Sequence, residues 1–429
     1  MIAALPLIAM VIALILGVPI AFALAGAGIL GIWLITGNLN TVITIVGTVP
    51  FSTVADYILT TIPMFILMAY FSSSSGLARD LFNAAAKWLA HIRGGLAIAT
   101  VFACGIFGAM SGASTAAASV MSNIAMPEMR RFGYSEELAA GAIGVGATLD
   151  ILIPPSIAMI IYGTATETSV GKLLVAGVIP GIVLGIFLVI TIMVWVTLSP
   201  SHAPRTEQVS WRERWKSLRP VWISLLLIFL VLGLLYTGVV TPTEVGALGA
   251  FLAAVIGVVT RRLTWSGVVE ALKATVRITA MIFMIMIGAT IFGYFMTLSQ
   301  MPRHIMMHVA AMNLNRWVII VGIVVLYFLI SMFMDEIPLL LITLQLTFPL
   351  IIHLGFDPIW YGVLCVLMIC MGLVFPPVGM VAFVVSAAAN VDLVKVYKGT
   401  SILIVAIFAT TILLMIFPQL ATWLPSTMR

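Results

Sequence analysis

The sequence predicts an all-α polytopic membrane protein, built from two inverted-topology repeats with re-entrant helical hairpins and broken helices. Its composition, its interrupted apolar segments and a fixed repeat spacing lead to this prediction. Of the 429 residues, 62% are hydrophobic and 8% are charged, and the mean hydropathy is +1.23. Soluble domains carry about 25% charged residues. A soluble fold is therefore excluded, and residues 1–429 are expected to form a single membrane unit.

Six apolar segments have roughly the 20 residues that a membrane-spanning helix needs. They are 54–75, 173–199, 221–240, 244–260, 274–298 and 399–424. The stretch 2–36 is too long for one crossing, and Gly17-Val18-Pro19 divides it into two predicted short helices. Because no basic residue precedes Arg79, no secretory signal peptide is predicted, and the first apolar segment is expected to remain as a membrane helix.

Four further apolar runs are interrupted. The interruptions are Ser111–Thr115, Pro154-Pro155, Asp335–Pro338 and Pro376-Pro377. Unwound backbone at membrane depth is stable only where it is buried in protein or lines a water-filled cavity. The interruptions therefore predict hairpins and broken helices around a central binding site, a pattern typical of secondary transporters.

The interruptions recur at a spacing of 222 residues. Adding 222 relates Pro127 to Pro349, Gly133 to Gly355, and Pro154-Pro155 to Pro376-Pro377. The first polar interruption, 111–115, corresponds to 333–337, which contains Asp335 and Glu336. The spacing holds without a gap across both motifs, so an internal repeat is predicted.

Basic loops predict the orientation of the repeats. The excess of Lys and Arg in 199–219 and 261–277 places both segments in the cytoplasm. The loop at Gly133 then lies inside and its counterpart at Gly355 lies outside, so the two repeats are expected to have opposite orientations. Arg303 and Arg316 lie on the non-cytoplasmic side in this arrangement, contrary to the rule that basic residues favour cytoplasmic loops.

Amphipathic segments before each hairpin are predicted to lie in the headgroup plane, as arms that hold a moving unit. The expected division of the chain is N-terminal scaffold helices over 1–75, a first arm helix over 76–93, a first transport half over 94–172, scaffold helices over 173–298 with a cytoplasmic loop at 199–219, a second arm helix over 299–316, a second transport half over 317–390 and a C-terminal helix over 391–429.

The candidate substrate-binding residues are the hydroxyls and acids at the interruptions: Ser114, Thr115, Asp335 and Glu336. These hydroxyls, and that of Ser111, can accept a hydrogen bond from a substrate or coordinate a cation. Small residues at such positions can also serve only to let membrane helices pack closely. An acid in an apolar run costs roughly 2.5–3.5 kcal/mol at a helix centre. Asp335 and Glu336 are therefore predicted to be functional, unless one is solvated at the surface.

The Pro-Pro pairs supply backbone oxygen atoms. Proline has no N–H and disfavours helix in the residue before it, so carbonyls just upstream of Pro154 and Pro376 lose their usual partners. The C-terminus of a half-helix is partially negative, which suits a cation such as Na⁺. Asp150 also lies in an apolar run, one turn before Pro154.

Several short sequence motifs around these positions are distinctive enough to compare with known families. They are Leu16-Gly17-Val18-Pro19-Ile20, Thr61-Ile62-Pro63-Met64-Phe65, Phe107-Gly108-Ala109-Met110-Ser111-Gly112-Ala113-Ser114, Gly133-Tyr134, Leu152-Ile153-Pro154-Pro155-Ser156 with Tyr162-Gly163 and Gly171-Lys172-Leu173, and Phe375-Pro376-Pro377-Val378-Gly379. In these phrases the sequence resembles the large (M, DctM-like) subunit of tripartite ATP-independent periplasmic (TRAP) transporters, within the ion-transporter superfamily. The resemblance covers essentially the whole chain.

The resemblance implies Na⁺-coupled uptake of a small organic acid anion across the bacterial inner membrane by an elevator mechanism. It also implies two partners, a small four-helix membrane subunit (Q) and a periplasmic substrate-binding protein (P). The implied Na⁺ ligands are Ser111, Asp150, Ile153 and Pro155 in one half and Asp335, Gly372, Phe375 and Pro377 in the other. The sequence departs from the family pattern at Asp150, where Gly is usual, and in the acidic phrase 335–338.

Other functions remain as alternatives at this point. A stand-alone dicarboxylate or citrate carrier of the same superfamily would share the repeats but would need no Q subunit. A membrane enzyme is not predicted, since HExxH, GxSxG and a His/Asp cluster are missing from the sequence. A channel would not need two broken-helix halves in opposite orientation. The net charge of +5 lies in short loops and does not indicate nucleic-acid binding. C4-dicarboxylates, sialic acid, sulfonates and keto acids all remain candidate substrates.

Overall fold

The computed structural model describes residues 4–204, 209–312 and 314–428. The first helices are α1 (Ala4–Ile15), α2 (Ile20–Thr36), α3 (Leu39–Val54), α4 (Thr61–Ser74) and α5 (Leu77–Leu89). The first repeat continues with α6 (Gly95–Ser111), α7 (Ser114–Arg131), α8 (Glu136–Ala147), α9 (Leu149–Leu152), α10 (Ile157–Ala165), α11 (Val170–Ala176) and α12 (Val178–Leu198). Short 3₁₀ turns lie at Tyr57–Thr60 and Pro200–His202.

The remaining helices belong to the middle of the chain and to the second repeat. In the middle are α13 (Trp211–Leu218), α14 (Val221–Thr237), α15 (Pro242–Val259), α16 (Trp265–Leu298) and α17 (Met301–Ala311). The second repeat contains α18 (Arg316–Ser331), α19 (Glu336–His353), α20 (Pro358–Val374), α21 (Met380–Ala389), α22 (Leu393–Ile416) and α23 (Gln419–Ser426). Of the described helices, six are long and apolar enough to cross a membrane, or eight if each bent pair counts as one span. The prediction of an all-α polytopic fold is confirmed.

The N-terminal segment divides where the sequence predicts. Gly17 has a φ of +81° between α1 and α2, a conformation that glycine adopts at little cost. Helix α3 was not predicted, because its threonines and Asn40 lower its hydropathy. The threonine hydroxyls bond within the helix, as Thr44 Oγ1 does to the Asn40 carbonyl and Thr48 Oγ1 to the Thr44 carbonyl.

The 222-residue spacing holds in the helix boundaries. Adding 222 to the bounds of α7 gives those of α19, and adding it to the span 136–152 of α8 and α9 gives the span of α20. Both Pro-Pro bonds are cis, and Gly133 and Gly355 share a φ of +73°. The repeats also touch at related positions, since Cys370 Sγ donates to the carbonyl of Thr148, 222 residues earlier, at 3.5 Å.

The helices pack in two groups. In the first group α16 contacts α2, α3 and α4, and α15 packs on α4; in the second, α8, α20 and α22 contact one another and α6, α12 and α21. Small residues let the backbones approach. A Cβ on Gly28 of α2 would lie 2.8 Å from the backbone of Ile291, and Gly141 and Gly399 bring α8 and α22 together in the same way. Helix α12, although it begins the segment predicted as scaffold, lies against the second group.

Both predicted arm segments contain helices. The buried face of α5 includes Leu77, Leu81 and Phe82, and Asp80 forms an ion pair with Arg262 in the loop before α16. Helix α17 is the corresponding element of the second repeat and contacts α16 and α19. Residue 313 of the second arm and residues 205–208 of the predicted cytoplasmic loop lie outside the described residues. The predicted C-terminal segment, 391–429, contains two helices, α22 and α23.

Candidate functional site

The first Pro-Pro break separates α9 from α10. Ile153 is extended, with φ −81° and ψ 120°, and Ser156 begins the next helix by accepting a hydrogen bond from the Met159 N–H at 3.3 Å. Prolines at 154 and 155 remove the N–H groups that would bond the carbonyls of residues 150 and 151 in a continuous helix. The break therefore leaves helical carbonyls without their i+4 donors in the interior of the molecule.

The first hairpin packs directly on this break. Helix α6 ends at Ser111, Gly112 turns the chain with a φ of +62°, and a Cβ at Gly112 would lie 2.7 Å from the carbonyl oxygen of Pro155. The Ser111 hydroxyl donates to Asp150 Oδ2 at 3.5 Å. Asp150 has 0% of its surface exposed, and its other oxygen, Oδ1, has no hydrogen-bond partner. Three of the implied Na⁺ ligands in this half therefore lie together.

The second hairpin ends in acids. Asp335 is the N-cap of α19 and accepts from the Glu336 N–H at 2.9 Å. Glu336 has 6% of its surface exposed, and its Oε2 has no hydrogen-bond partner. The hairpin is joined to the second break by the Gly379 N–H, which donates to the Met332 carbonyl at 3.2 Å.

The second Pro-Pro break has hydroxyl partners from α22. Thr400 Oγ1 donates to the Val374 carbonyl at 2.7 Å, and the Tyr397 hydroxyl contacts the carbonyls of Pro377 at 3.0 Å and Val378 at 2.8 Å. The implied ligand Pro377 is exposed, whereas Pro155 is buried. The two breaks thus differ in solvent access and in the partners of their carbonyls.

The acids of the two halves lie near one another at the centre. Asp150 is close enough to Glu336 for their carboxyl groups to interact, and Cys370 lies near both. Gly372, the repeat counterpart of Asp150, packs tightly on Ser331 of α18. The repeat therefore places a carboxyl group in one half where the other half has only backbone.

The other predicted residues lie at the first hairpin tip and in the two breaks. Ser114 is buried and Thr115 is half-buried at the start of α7, beside the hairpin tip. The Ile153 side chain packs against Gly105 and Gly181. Phe375 is half-buried, and its ring lies 5.4 Å from that of Phe328.

Residues Thr148, Tyr397 and Thr400 contribute to the site but were not predicted. Tyr397 and Thr400 are three residues apart on α22, so both reach the same break. The sequence signal for them was a hydroxyl residue within or beside an apolar segment. The same signal arises where a hydroxyl only bonds a carbonyl of its own helix.

Two cavities among the described residues lie away from both breaks. One, of about 450 Å³, is bounded by the end of α4, the start of α5, α7 and Arg262. The other, of about 560 Å³, lies between residues 56–58, 163–171 and 241–243. Neither cavity is lined by Asp150, Asp335 or Glu336.

Comparison with known proteins identifies the family. A family model described as "Tripartite ATP-independent periplasmic transporter, DctM component" matches residues 7–420. The chain belongs to this family. The DctM family comprises transporter permeases and not enzymes.

Curated relatives agree with the DctM assignment. The chain is 36% identical to the C4-dicarboxylate TRAP transporter large permease protein DctM of Pseudomonas aeruginosa, over 88% of this chain and 86% of that protein. It is 30% identical to the sialic acid TRAP transporter large permease protein SiaM of Vibrio cholerae, over 86% of each chain. Because relatives of similar identity differ in substrate, the DctM assignment leaves the substrate open.

A solved structure has a similar fold. The YdaH transporter of Alcanivorax borkumensis, described as having an unusual topology, aligns over 91% of this chain and 90% of its own. The TM-score is 0.64 at 14% sequence identity. This similarity supports the helical architecture of the DctM chain alone.

Proposed function

We propose that this chain performs Na⁺-coupled uptake of a small organic acid anion, such as a C4-dicarboxylate or sialic acid, across the bacterial inner membrane by an elevator mechanism. The observation that supports it most is the meeting of the first hairpin and the first Pro-Pro break. There Ser111, Asp150 and Pro155 bring hydroxyl, carboxyl and carbonyl oxygens together. Hard cations prefer such oxygen donors.

The residues of the first half fit a bound Na⁺, and in the second half Glu336 Oε2 is unpartnered as well. Asp150 Oδ1 has no partner in the protein, and an isolated buried charge is costly unless it is paired or coordinates a metal. A Na⁺ bound there would supply the missing positive charge. In the second half the Pro377 carbonyl already contacts Tyr397, although a carbonyl has a second lone pair.

The partners follow from the tripartite family. We propose that a small membrane subunit packs on the group of helices around α16, and that a periplasmic binding protein delivers the substrate. The family match favours this arrangement over a stand-alone carrier, since the matching component belongs to a three-component system.

Uptake by proteoliposomes tests the proposal. The chain, its small subunit and its binding protein would be assayed with candidate organic acids under an inward Na⁺ gradient, or with K⁺ and a proton gradient. We expect uptake only with Na⁺, and only with the binding protein present. Equal uptake in K⁺ would contradict Na⁺ coupling, and uptake without the partners would favour the stand-alone carrier.

A further inference from the structure

Helix α13, in the basic segment between the repeats, is held against the arm helix α5. The Trp88 indole of α5 donates from Nε1 to the Arg214 carbonyl at 3.1 Å. Its ring meets those of Trp211 and Trp215 edge-on, with centroids 6.3 and 5.5 Å away. Such aromatic pairs are favourable beyond the area they bury. Helix α13 is thereby fixed on the arm at a defined orientation.

The two indoles of α13 that contact Trp88 are also largely exposed. Trp211 and Trp215 are 66% and 64% exposed, and their spacing of four residues places them on one helix face. Trp222, at the start of the spanning helix α14, is 56% exposed. Tryptophan is enriched at membrane–water interfaces, where its apolar ring and polar N–H are both satisfied.

A basic stripe runs beside the indoles. Arg212, Lys216 and Arg219 are all exposed, and spacings of four and three residues align them along the helix. The one exposed acid of α13, Glu213, accepts a hydrogen bond from the Ser210 hydroxyl at 3.1 Å. The stripe therefore presents three cations to a partner.

A buried guanidinium completes this surface. Arg214 is only 8% exposed, and its guanidinium lies over the Trp211 ring, 5.0 Å from the centroid. Its Nε has no hydrogen-bond partner. A buried donor without an acceptor is costly, and the Arg214 guanidinium adds a fourth positive charge beside the stripe.

We propose that α13, with the Trp88 end of α5, binds the headgroup of an anionic phospholipid in the membrane leaflet on the basic side of the protein. The phosphate would accept hydrogen bonds from the exposed cations of the stripe and neutralise them, while Trp211 and Trp215 enter the interface. Clustered basic residues on an amphipathic helix bind anionic lipids in this way. Because α13 contacts both α5 and α14, the lipid would secure the base of the arm to a spanning helix.

Lipid titration of the purified full chain with its small subunit tests the proposal. Phosphatidylglycerol and phosphatidylcholine would be added to the delipidated complex in detergent, and bound lipid counted by native mass spectrometry. We expect tighter binding of phosphatidylglycerol. Each basic residue near a lipid surface contributes roughly a fivefold affinity, so the variant Arg212→Gln/Lys216→Gln/Arg219→Gln should bind phosphatidylglycerol about a hundredfold more weakly.

A charge-matched control distinguishes this surface from general attraction. The variant Arg261→Gln/Lys273→Gln/Arg277→Gln removes three other exposed cations, and we expect it to retain wild-type affinity. Equal losses in both variants would mean diffuse attraction and would overturn the proposal. Equal binding of the two lipids, or displacement of phosphatidylglycerol by millimolar inorganic phosphate, would overturn it as well.

A second variant tests the indoles. Trp211→Phe/Trp215→Phe keeps the aromatic contacts with Trp88 but lacks the amphipathic indole N–H groups, so we expect weaker phosphatidylglycerol binding with an unchanged melting temperature in phosphatidylcholine. Unchanged phosphatidylglycerol affinity in this variant would contradict the interfacial role. Neither measurement involves transport, so the outcome is independent of the proposed function.

Discussion

The Asp335 side chain both caps a helix and carries a charge that could bind an ion or substrate. Its carboxylate caps α19 through the Glu336 N–H, and replacing an N-cap Asp by Ala costs about 1 kcal/mol, whereas Asn caps equally well. The charge, in contrast, is lost in both substitutions. The pair of variants therefore separates the helix cap from a role in binding.

We expect Asp335→Ala to abolish uptake while the protein still inserts and assembles. Asp335→Asn should keep the wild-type melting temperature because the cap survives. If Asp335 binds Na⁺, the Na⁺ concentration for half-maximal uptake by Asp335→Asn should rise about tenfold, as expected for loss of a charged partner. If it binds substrate, the Na⁺ dependence stays fixed and substrate capture weakens. Wild-type uptake by both variants would show that Asp335 serves only the hairpin.

Asp150 invites a comparison with its own repeat counterpart, Gly372. The carboxyl group is fully buried, has an unpartnered oxygen, and is contacted by Ser111. We expect Asp150→Asn and Asp150→Gly both to raise the half-maximal Na⁺ concentration about tenfold, because each removes a charged oxygen ligand. Uptake measured against Na⁺ in proteoliposomes is the test.

The matched control for Asp150 is Asp392→Asn. Asp392 is an exposed N-cap of α22, and Asn retains the cap. Its Na⁺ dependence should be that of the wild type. An unchanged Na⁺ dependence in both Asp150 variants would remove this residue from the proposed ligands.

Among the elements, the first hairpin depends on the turn at Gly112. Alanine there would meet two penalties, a φ of +62° and a Cβ 2.7 Å from the Pro155 carbonyl. Gly355 shares the first penalty, with a φ of +73°, but a Cβ there has open space. The two glycines thus separate backbone strain from contact with the break.

We expect Gly112→Ala to lower the melting temperature more than Gly355→Ala and to reduce uptake strongly. The left-handed conformation costs a non-glycine residue roughly 1–2 kcal/mol, and only position 112 adds displacement of the break. Melting curves of purified protein and uptake rates would be compared. Equal effects of the two substitutions would show that the hairpin tip and the break are not coupled.

The sequence predicts the helices whose ends are marked by glycine or proline, and it misses a helix without such marked ends. The boundaries at Gly17 and Gly112, where the chain takes a positive φ, and at both Pro-Pro pairs follow from residues that favour the end of a helix, and the structure confirms them. Helix α3 was not predicted because its polar residues lower its hydropathy, although they form hydrogen bonds within the helix. The site was only partly predictable for a related reason: the hydroxyl of Tyr397 reaches the second break through tertiary packing, which local sequence does not encode.

For the whole molecule, the two packed groups of helices are the units whose relative movement the proposed mechanism requires. Helix α19 packs on α20 of the second group and also contacts α16 of the first, where Gln345 Nε2 donates to the Ala289 carbonyl at 2.9 Å. Beside it, a Cβ on Gly293 would lie 3.1 Å from the Gln345 amide. This place suits a crosslink between the groups.

We expect the variant Gly293→Cys/Gln345→Cys, with Cys365 and Cys370 replaced by Ala, to lose uptake when a short reducible bifunctional thiol reagent joins the two cysteines. Reduction should restore uptake, because the crosslink prevents only relative movement. Proteoliposome uptake before and after reduction is the measurement. Full uptake at complete crosslinking would contradict an elevator mechanism.

The control crosslink lies within one group. A Cβ at Gly146 would be 3.4 Å from Cys104 Sγ, so Gly146→Cys in the same background can pair with the native Cys104 of α6. Because α6 and α8 belong to the same group, this disulfide should leave uptake unchanged. Inhibition by both crosslinks would show that movement within the group is also required.

The contact between Thr148 and Cys370 has a kinetic consequence. Two residues that are each other's counterparts meet there, so the two halves are in direct contact at that level. In the proposed mechanism a solute crosses only when the surrounding helices reorient. We therefore expect flux to reach a ceiling as substrate concentration rises and to slow steeply on cooling, whereas flow through an open conduit would keep increasing with concentration.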